Sequence, residues 1–201
     1  KSLFNFGWKL LVSGLINTVY TNIRPLVIGK IYTASNLAFY NQGAKLPNVI
    51  VGNINNSIDS VFLPVMSNEQ DDVSRVREMT KRAISTSVYI MAPLMIGLAV
   101  IAEDLVSLIL TDKWLPCVFF LRIFCIAYMF EPIHTANLNA IKALGRSDLF
   151  LKLEIWKKIV GMTLLASTIW ISVEAMAYSY LLACVLAQII NSWPNKKLLH
   201  Y

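Results

Sequence analysis

Three ionisable side chains, Arg122, Glu131 and His134, stand inside an apolar run that reads WLPCVFFLRIFCIAYMFEPIHTANLNAIKALGR from Trp114 to Arg146. A guanidinium, a carboxylate and an imidazole held away from bulk water could move a proton or gate a passage. From Cys117 to Phe130 almost every residue is apolar around the whole helical circumference. Such a helix has no wet face and must be buried in protein or lipid. Arg122 and Glu131 are nine residues apart, on opposite helical faces, so each needs its own partner. They are the candidate coupling or gating residues. Pro132 frees the carbonyl near Tyr128 and predicts a kink, and His134 just beyond it reads first as a satisfied hydrogen-bonding residue.

A second constellation lies earlier in the chain. Lys9, Ser13, Asn17, Tyr20 and Arg24 follow one another at steps of four, four, three and four, which is one helical stripe. Lys45, Asn48, Gly52, Asn55, Asn56 and Asp59 form another. Two consecutive antiparallel helices with polar faces can line a common aqueous cavity, with Lys9, Arg24 and Lys45 directed into it. The competing reading is packing glue, because Asn and Ser also hydrogen-bond across membrane helices. Amides and hydroxyls suit the donors and acceptors of sugar hydroxyls. A basic residue at a helix centre costs about 2.5–3.5 kcal/mol on insertion scales, so a charge kept there faces protein or water. Lys9, Lys30 and Lys157 lie near enough to span ends to snorkel. Glu154, Lys157 and Lys158 are at helical spacing and are expected to compensate one another.

The elements that must position these groups are helices in a membrane. The 201 residues are 56% hydrophobic and 15% charged, with a mean hydropathy of +0.57, far from the soluble norm. Charge-poor stretches predict six transmembrane spans, at about 8–29, 46–66, 83–102, 115–138, 151–173 and 175–193. The connection KIYTASNLAFYNQG reads as a turn at the membrane interface, and SNEQDDVSRVREMTKR as a charged connection in which Asp71 and Asp72 suit the first turn of a helix. Gly145 and Pro194 are predicted helix stops.

The net charge of +6 is spread over separate short clusters, which excludes a nucleic-acid-binding arm. Eleven basic residues, among them Arg75, Arg77, Lys81, Arg82, Lys142 and Arg146, fall on the side of the chain's ends, and only Lys30 and Lys113 fall opposite. Both ends are therefore expected in the cytoplasm. Cys117, Cys125 and Cys184 lie in apolar runs without metal or redox spacing and read as small buried side chains. No nucleotide loop, zinc signature or nucleophile elbow occurs, so no enzyme activity, metal or cofactor is expected. The chain opens at Lys1 without a signal-peptide pattern and reads as a fragment of a longer protein.

The ordered segments FGWKLLVSGLINTVYTNIRPLVIGKIYTASNLAFYNQGAKLPN, VFLPVMSNEQDDVSRVREMTKR, AEDLVSLILTDKW and NAIKALGRSDLFLKLE resemble the C-terminal half of bacterial oligosaccharide flippases. These are the polysaccharide-biosynthesis exporters of the multidrug/oligosaccharidyl-lipid/polysaccharide (MOP) superfamily. The resemblance implies an all-α integral membrane fold, in which residues 1–201 form one six-helix lobe beside an N-terminal lobe that this chain lacks. It implies passage of an undecaprenyl-diphosphate-linked oligosaccharide across the bacterial inner membrane for O-antigen, capsule or exopolysaccharide synthesis. It implies as partners that lipid-linked oligosaccharide, membrane lipid, the other lobe, a polysaccharide polymerase and glycosyltransferases. Matched residue by residue, Lys9, Arg24 and Lys45 would hold the diphosphate, while Asn17, Asn48, Asn55, Asn56 and Asp59 would line the sugar path.

Two rival readings stay open. A cation-coupled drug exporter of the same superfamily would need an acidic residue, for which Asp59 and Glu131 are the candidates. A membrane scaffold of a glycan assembly complex would pack both stripes dry, with no cavity between the first two spans.

Overall fold

The computed structural model describes residues 2–69 and 72–199, with the side chains of residues 2–6, 9, 10, 13, 16, 147 and 193–199 outside the description. Its described residues form eight α-helices: α1 (Ser2–Ile31), α2 (Ala34–Asn68), α3 (Val73–Val100), α4 (Ala102–Leu110), α5 (Cys117–Tyr128), α6 (Glu131–Ala143), α7 (Ser147–Thr168) and α8 (Val173–Leu199), with one 3-10 turn at Asp112–Trp114. The fold is all-helical, as the periodicity requires.

Three stretches are long and apolar enough to cross a membrane, Val73–Val100, Cys117–Ala143 and Val173–Ser192. This revises the expected six spans. The remaining long helices, α1, α2 and α7, have the length, at 30, 35 and 22 residues. Each carries polar or charged side chains along its middle, and that dilutes its apolar character.

Several boundaries move. The expected turn at 30–43 shrinks to Tyr32 and Thr33, because the Thr33 hydroxyl accepts from the Asn36 amide at 3.2 Å and caps α2. Asp72 caps α3 by accepting from the amides of Ser74 and Arg75 at 3.0 and 3.1 Å, so most of the charged connection is helix. Asp71, expected beside it, lies outside the described residues. The span expected at 83–102 ends at Val100, and Ala102 opens the short helix α4. The Pro132 kink is realised as a break: α5 stops at Tyr128 and α6 restarts at Glu131 with Pro132 in its first turn, where a missing N–H costs nothing. Gly145 ends α6 at φ +68°, a region that a β-carbon disfavours. Pro194 does not stop α8, which runs on to Leu199. A proline removes one helical hydrogen bond and bends the path without having to end it.

Helix α2 packs on α5 and α6, α7 on α8 and α1, and α5 on α8. Two cores result. One joins Ile28, Tyr40, Phe120, Phe124, Leu165 and Met176. The other joins Val51, Met91, Met95, Val106, Cys117 and Leu121. At Gly43 a β-carbon would fall 2.6 Å from Phe120 Cβ and 2.8 Å from the Cys117 carbonyl, so glycine is what lets α2 touch the α5 backbone. Cys117 and Cys125 are buried thiols and Cys184 is half-buried, in keeping with small apolar roles.

Candidate functional site

Between α1, α2, α5, α6, α7 and α8 the bundle leaves a cavity of about 810 Å³, large for a small-molecule pocket. Its walls come from both polar stripes. Asn17, Tyr20 and Arg24 of α1 line it, as do Asn48, Gly52 and Asn55 of α2. Both stripes thus border one space between the helices.

Arg24 is buried, 5% exposed. Its Nη1 donates to the Met176 carbonyl at 2.7 Å and approaches Ser179 Oγ at 3.4 Å. Its guanidinium lies 5.0 Å over the Tyr180 ring, a cation–π seat. Nη2 is buried with no hydrogen-bond partner. Buried polar atoms are nearly always paired, so this nitrogen is an unsatisfied donor of the protein interior. Tyr40, Phe124, Tyr128 and Tyr180 make an aromatic wall beside it, with ring centroids 5.2 to 6.1 Å apart.

One turn and more away, α7 supplies a charged cluster. Lys157 pairs closely with Glu154 within the helix, and Lys157 Nζ lies 3.0 Å from His134 Nε2. The other imidazole nitrogen, Nδ1, is 2.5 Å from Asn191 Nδ2. His134 is thus held from two helices, as expected of a satisfied hydrogen-bonding residue. Lys158 turns towards α1: its Nζ donates to Asn17 Oδ1 at 2.7 Å and stands 4.2 Å over the Tyr20 ring. Glu154 Oε2 is 3.9 Å from the same ammonium. The compensation expected within Glu154, Lys157 and Lys158 is present, but Lys158 also ties α7 to α1.

Other predicted residues are placed elsewhere. The Lys9 side chain lies outside the described residues. Lys45 and Asn56 are exposed and do not line the cavity. Asp59 faces α6, where it accepts from Asn139 Nδ2 at 2.7 Å. Glu131 lines the cavity with Lys157 and Lys158. Arg122 does not: it pairs with Glu103 at 3.2 Å and donates to the Ala99 carbonyl at 3.2 Å on another flank of the bundle. Glu131 and Arg122 are not brought together, which the nine-residue spacing already implied.

The sequence reading missed Lys142, Gln188, Tyr128 and Tyr180 as cavity residues. Lys142 counts in the sequence as a topology marker, and Tyr128 and Tyr180 lie in apolar runs that do not single them out. A signal existed for Lys158, a lysine beside a charge-free stretch, but its aim towards α1 depends on how α7 docks. Four basic side chains, Arg24, Lys142, Lys157 and Lys158, and two carboxylates, Glu131 and Glu154, line the space. With His134 neutral the wall carries two positive charges in excess, a setting that favours an anion.

Comparison with known proteins gives a family and three relatives. Residues 1–119 match the family model described as polysaccharide biosynthesis protein. The teichuronic acid biosynthesis protein TuaB of Bacillus subtilis is 26% identical over 197 residues, 96% of this chain and 40% of that protein. The lipopolysaccharide biosynthesis protein WzxC of Escherichia coli is 25% identical over 187 residues, 93% of this chain and 37% of that protein. An uncharacterized membrane protein in the cps region of Klebsiella pneumoniae is 26% identical over 183 residues, covering 90% and 38% respectively. The chain spans about 40% of the length of these curated relatives. No solved structure matches it.

Proposed function

The chain belongs to the polysaccharide biosynthesis protein family, and we propose that it forms one lobe of a transporter that moves an undecaprenyl-diphosphate-linked oligosaccharide across the bacterial inner membrane. A second lobe, supplied by the rest of a longer protein, would complete the passage, and both ends of this chain would be cytoplasmic. The family's role in polysaccharide biosynthesis, together with relatives named for teichuronic acid and lipopolysaccharide synthesis, supports a glycan cargo.

The observation that carries the reading is the convergence of both polar stripes on one cavity lined by a buried arginine that has an unsatisfied donor. In this reading Arg24 holds the diphosphate, with Lys9 and Lys45 on the same two helices drawing it in from the exposed side. Asn17, Asn48 and Asn55 meet sugar hydroxyls, with Asn56 and Asp59 further along α2. Glu131 is the gating or coupling residue inside the cavity, and Arg122 acts at a distance by fixing α5 to the start of α4. Transport needs no catalytic residue, metal or cofactor from this lobe. A polysaccharide polymerase and glycosyltransferases would act before and after it.

The test is genetic and chemical. In the full-length protein, Arg24→Ala should abolish and Lys45→Ala should lower surface polysaccharide, while lipid-linked intermediates accumulate. Unchanged polysaccharide and unchanged intermediates in both variants would sink the site. The drug-exporter reading draws on the same Glu131 carboxylate, and an efflux assay with ethidium in the presence and absence of sodium separates the two.

A further inference from the structure

We infer that the outer flank of the bundle, between α4, α5 and α8, holds a phospholipid whose head carries a primary ammonium beside its phosphate. The site is separate from the cavity and does not depend on the cargo.

A groove of about 460 Å³ runs along this flank, within the range of small-molecule sites. Phe119, Arg122, Ile123 and Ile126 of α5 form one wall, and Tyr178 and Leu181 of α8 form the other. The Phe119 and Tyr178 rings meet edge to face at 5.7 Å. Ile126 is 47% and Tyr178 55% exposed, so the groove is apolar and open. The same two helices turn other edges to the cavity, through Phe124 and Tyr180. A lobe that completes the passage on the cavity side therefore leaves this flank to lipid.

Arg122 and Glu103 are the charged residues that line the groove, their side chains 3.2 Å apart. Helical side chains lean towards the start of their helix, which carries the guanidinium back to the end of α3. There Nε donates to the Ala99 carbonyl at 3.2 Å, one of the last four carbonyls that a helix leaves without an internal partner. The charge-free stretch from Ala83 to Ala102 ends one residue before Glu103. The ion pair thus sits where hydrocarbon gives way to lipid heads, and Ile123, Ile126 and Leu181 lead from it towards the membrane centre.

Both members of the pair have capacity left. Their contacts use Nη1 and Nε of Arg122 and Oε1 of Glu103, while a guanidinium has five N–H donors and a carboxylate two oxygens. The side chains are 45% and 62% exposed. A phosphate oxygen can join the arginine and an ammonium the glutamate, as charge-assisted hydrogen bonds, with the pair intact. An anionic head without an ammonium would leave Glu103 facing like charge. A trimethylammonium head has no N–H to give it. Glu174, exposed one turn before Tyr178 on the same face of α8, adds a second carboxylate at the rim and strengthens the preference for an ammonium.

The experiment is native mass spectrometry of the purified full-length protein, incubated in turn with phosphatidylethanolamine, phosphatidylglycerol and phosphatidylcholine. The wild type should retain phosphatidylethanolamine best. Arg122→Gln should weaken its retention roughly tenfold, about the effect of one charge-assisted hydrogen bond. Glu103→Gln should weaken phosphatidylethanolamine and strengthen phosphatidylglycerol, reversing the preference, whereas a merely structural ion pair would alter all three lipids alike. Ile126→Trp fills the groove away from the pair and should lower retention of all three lipids, so it keeps the test if a charge variant does not fold. Equal retention of the three lipids by the wild type, an unchanged preference in Glu103→Gln, or wild-type retention in Ile126→Trp would each overturn the site. A dimer that Ile126→Trp dissociates would show a second copy in the groove and overturn it too.

Discussion

The Tyr20 side chain on α1 lies so close to Gly161 on α7 that a β-carbon at 161 would run into the phenol. Lys158, one turn earlier on α7, caps the same ring from its face. Together they set the distance between the helix bearing Arg24 and the helix bearing the lysines.

Gly161→Ala should therefore lower the stability of the lobe by about 1–3 kcal/mol, the usual cost of overpacking. Thermal unfolding in detergent measures it. In a Tyr20→Ala background the same substitution should cost little, and equal losses in both backgrounds would show that the contact does not set the spacing.

Glu154 serves two lysines, whereas Lys157 serves one carboxylate and an imidazole. Removing Glu154 leaves both ammonium groups without it, while removing Lys157 leaves Glu154 with Lys158 at 3.9 Å. Glu154→Gln should accordingly destabilise more than Lys157→Met, at about 3–5 kcal/mol for breaking a buried pair. Chemical unfolding of the purified variants compares them, and the reverse order would mean that Lys157 carries the cluster.

Asp59 accepts a hydrogen bond from the fully buried Asn139. Asp59→Ala leaves that amide unsatisfied and should cost about 1–3 kcal/mol. If Asp59 served only the sugar path, export would fall with stability unchanged, so paired export and unfolding measurements distinguish a binding role from this structural one.

For topology, Lys113→Cys in a cysteine-free background should react with a membrane-impermeant maleimide in intact cells. Arg146→Cys should react only after permeabilisation. Both side chains are exposed, so labelling from the opposite sides would reverse the expected orientation.

The first stripe was readable because steps of three and four need nothing but helical geometry, and Asn17, Tyr20 and Arg24 do share the cavity. The second was readable only in part. Asn55 and Asn56 are neighbours about 100° apart on a helix, so one faces the cavity and the other is exposed. Asp59 belongs to the α6 contact because α2 also packs along that helix. The convergence of His134, Asn191, Glu154 and Lys157 joins three helices and depends on docking, which no local pattern encodes. The helices themselves were readable from apolar content, while their ends were set by Thr33 and Asp72 as caps and by the Pro132 break.

That break has a consequence for the backbone. Between Tyr128 and Glu131 the helical ladder is interrupted halfway through an apolar stretch, where lipid offers no substitute for lost hydrogen bonds and irregular backbone survives only against protein or water. Ala127, Tyr128, Phe130 and Glu131 all border the cavity. The interruption therefore lies on the cavity wall, where the amides of Met129 and Phe130 find the Cys125 and Ala127 carbonyls and the protein, not lipid, satisfies the broken ladder.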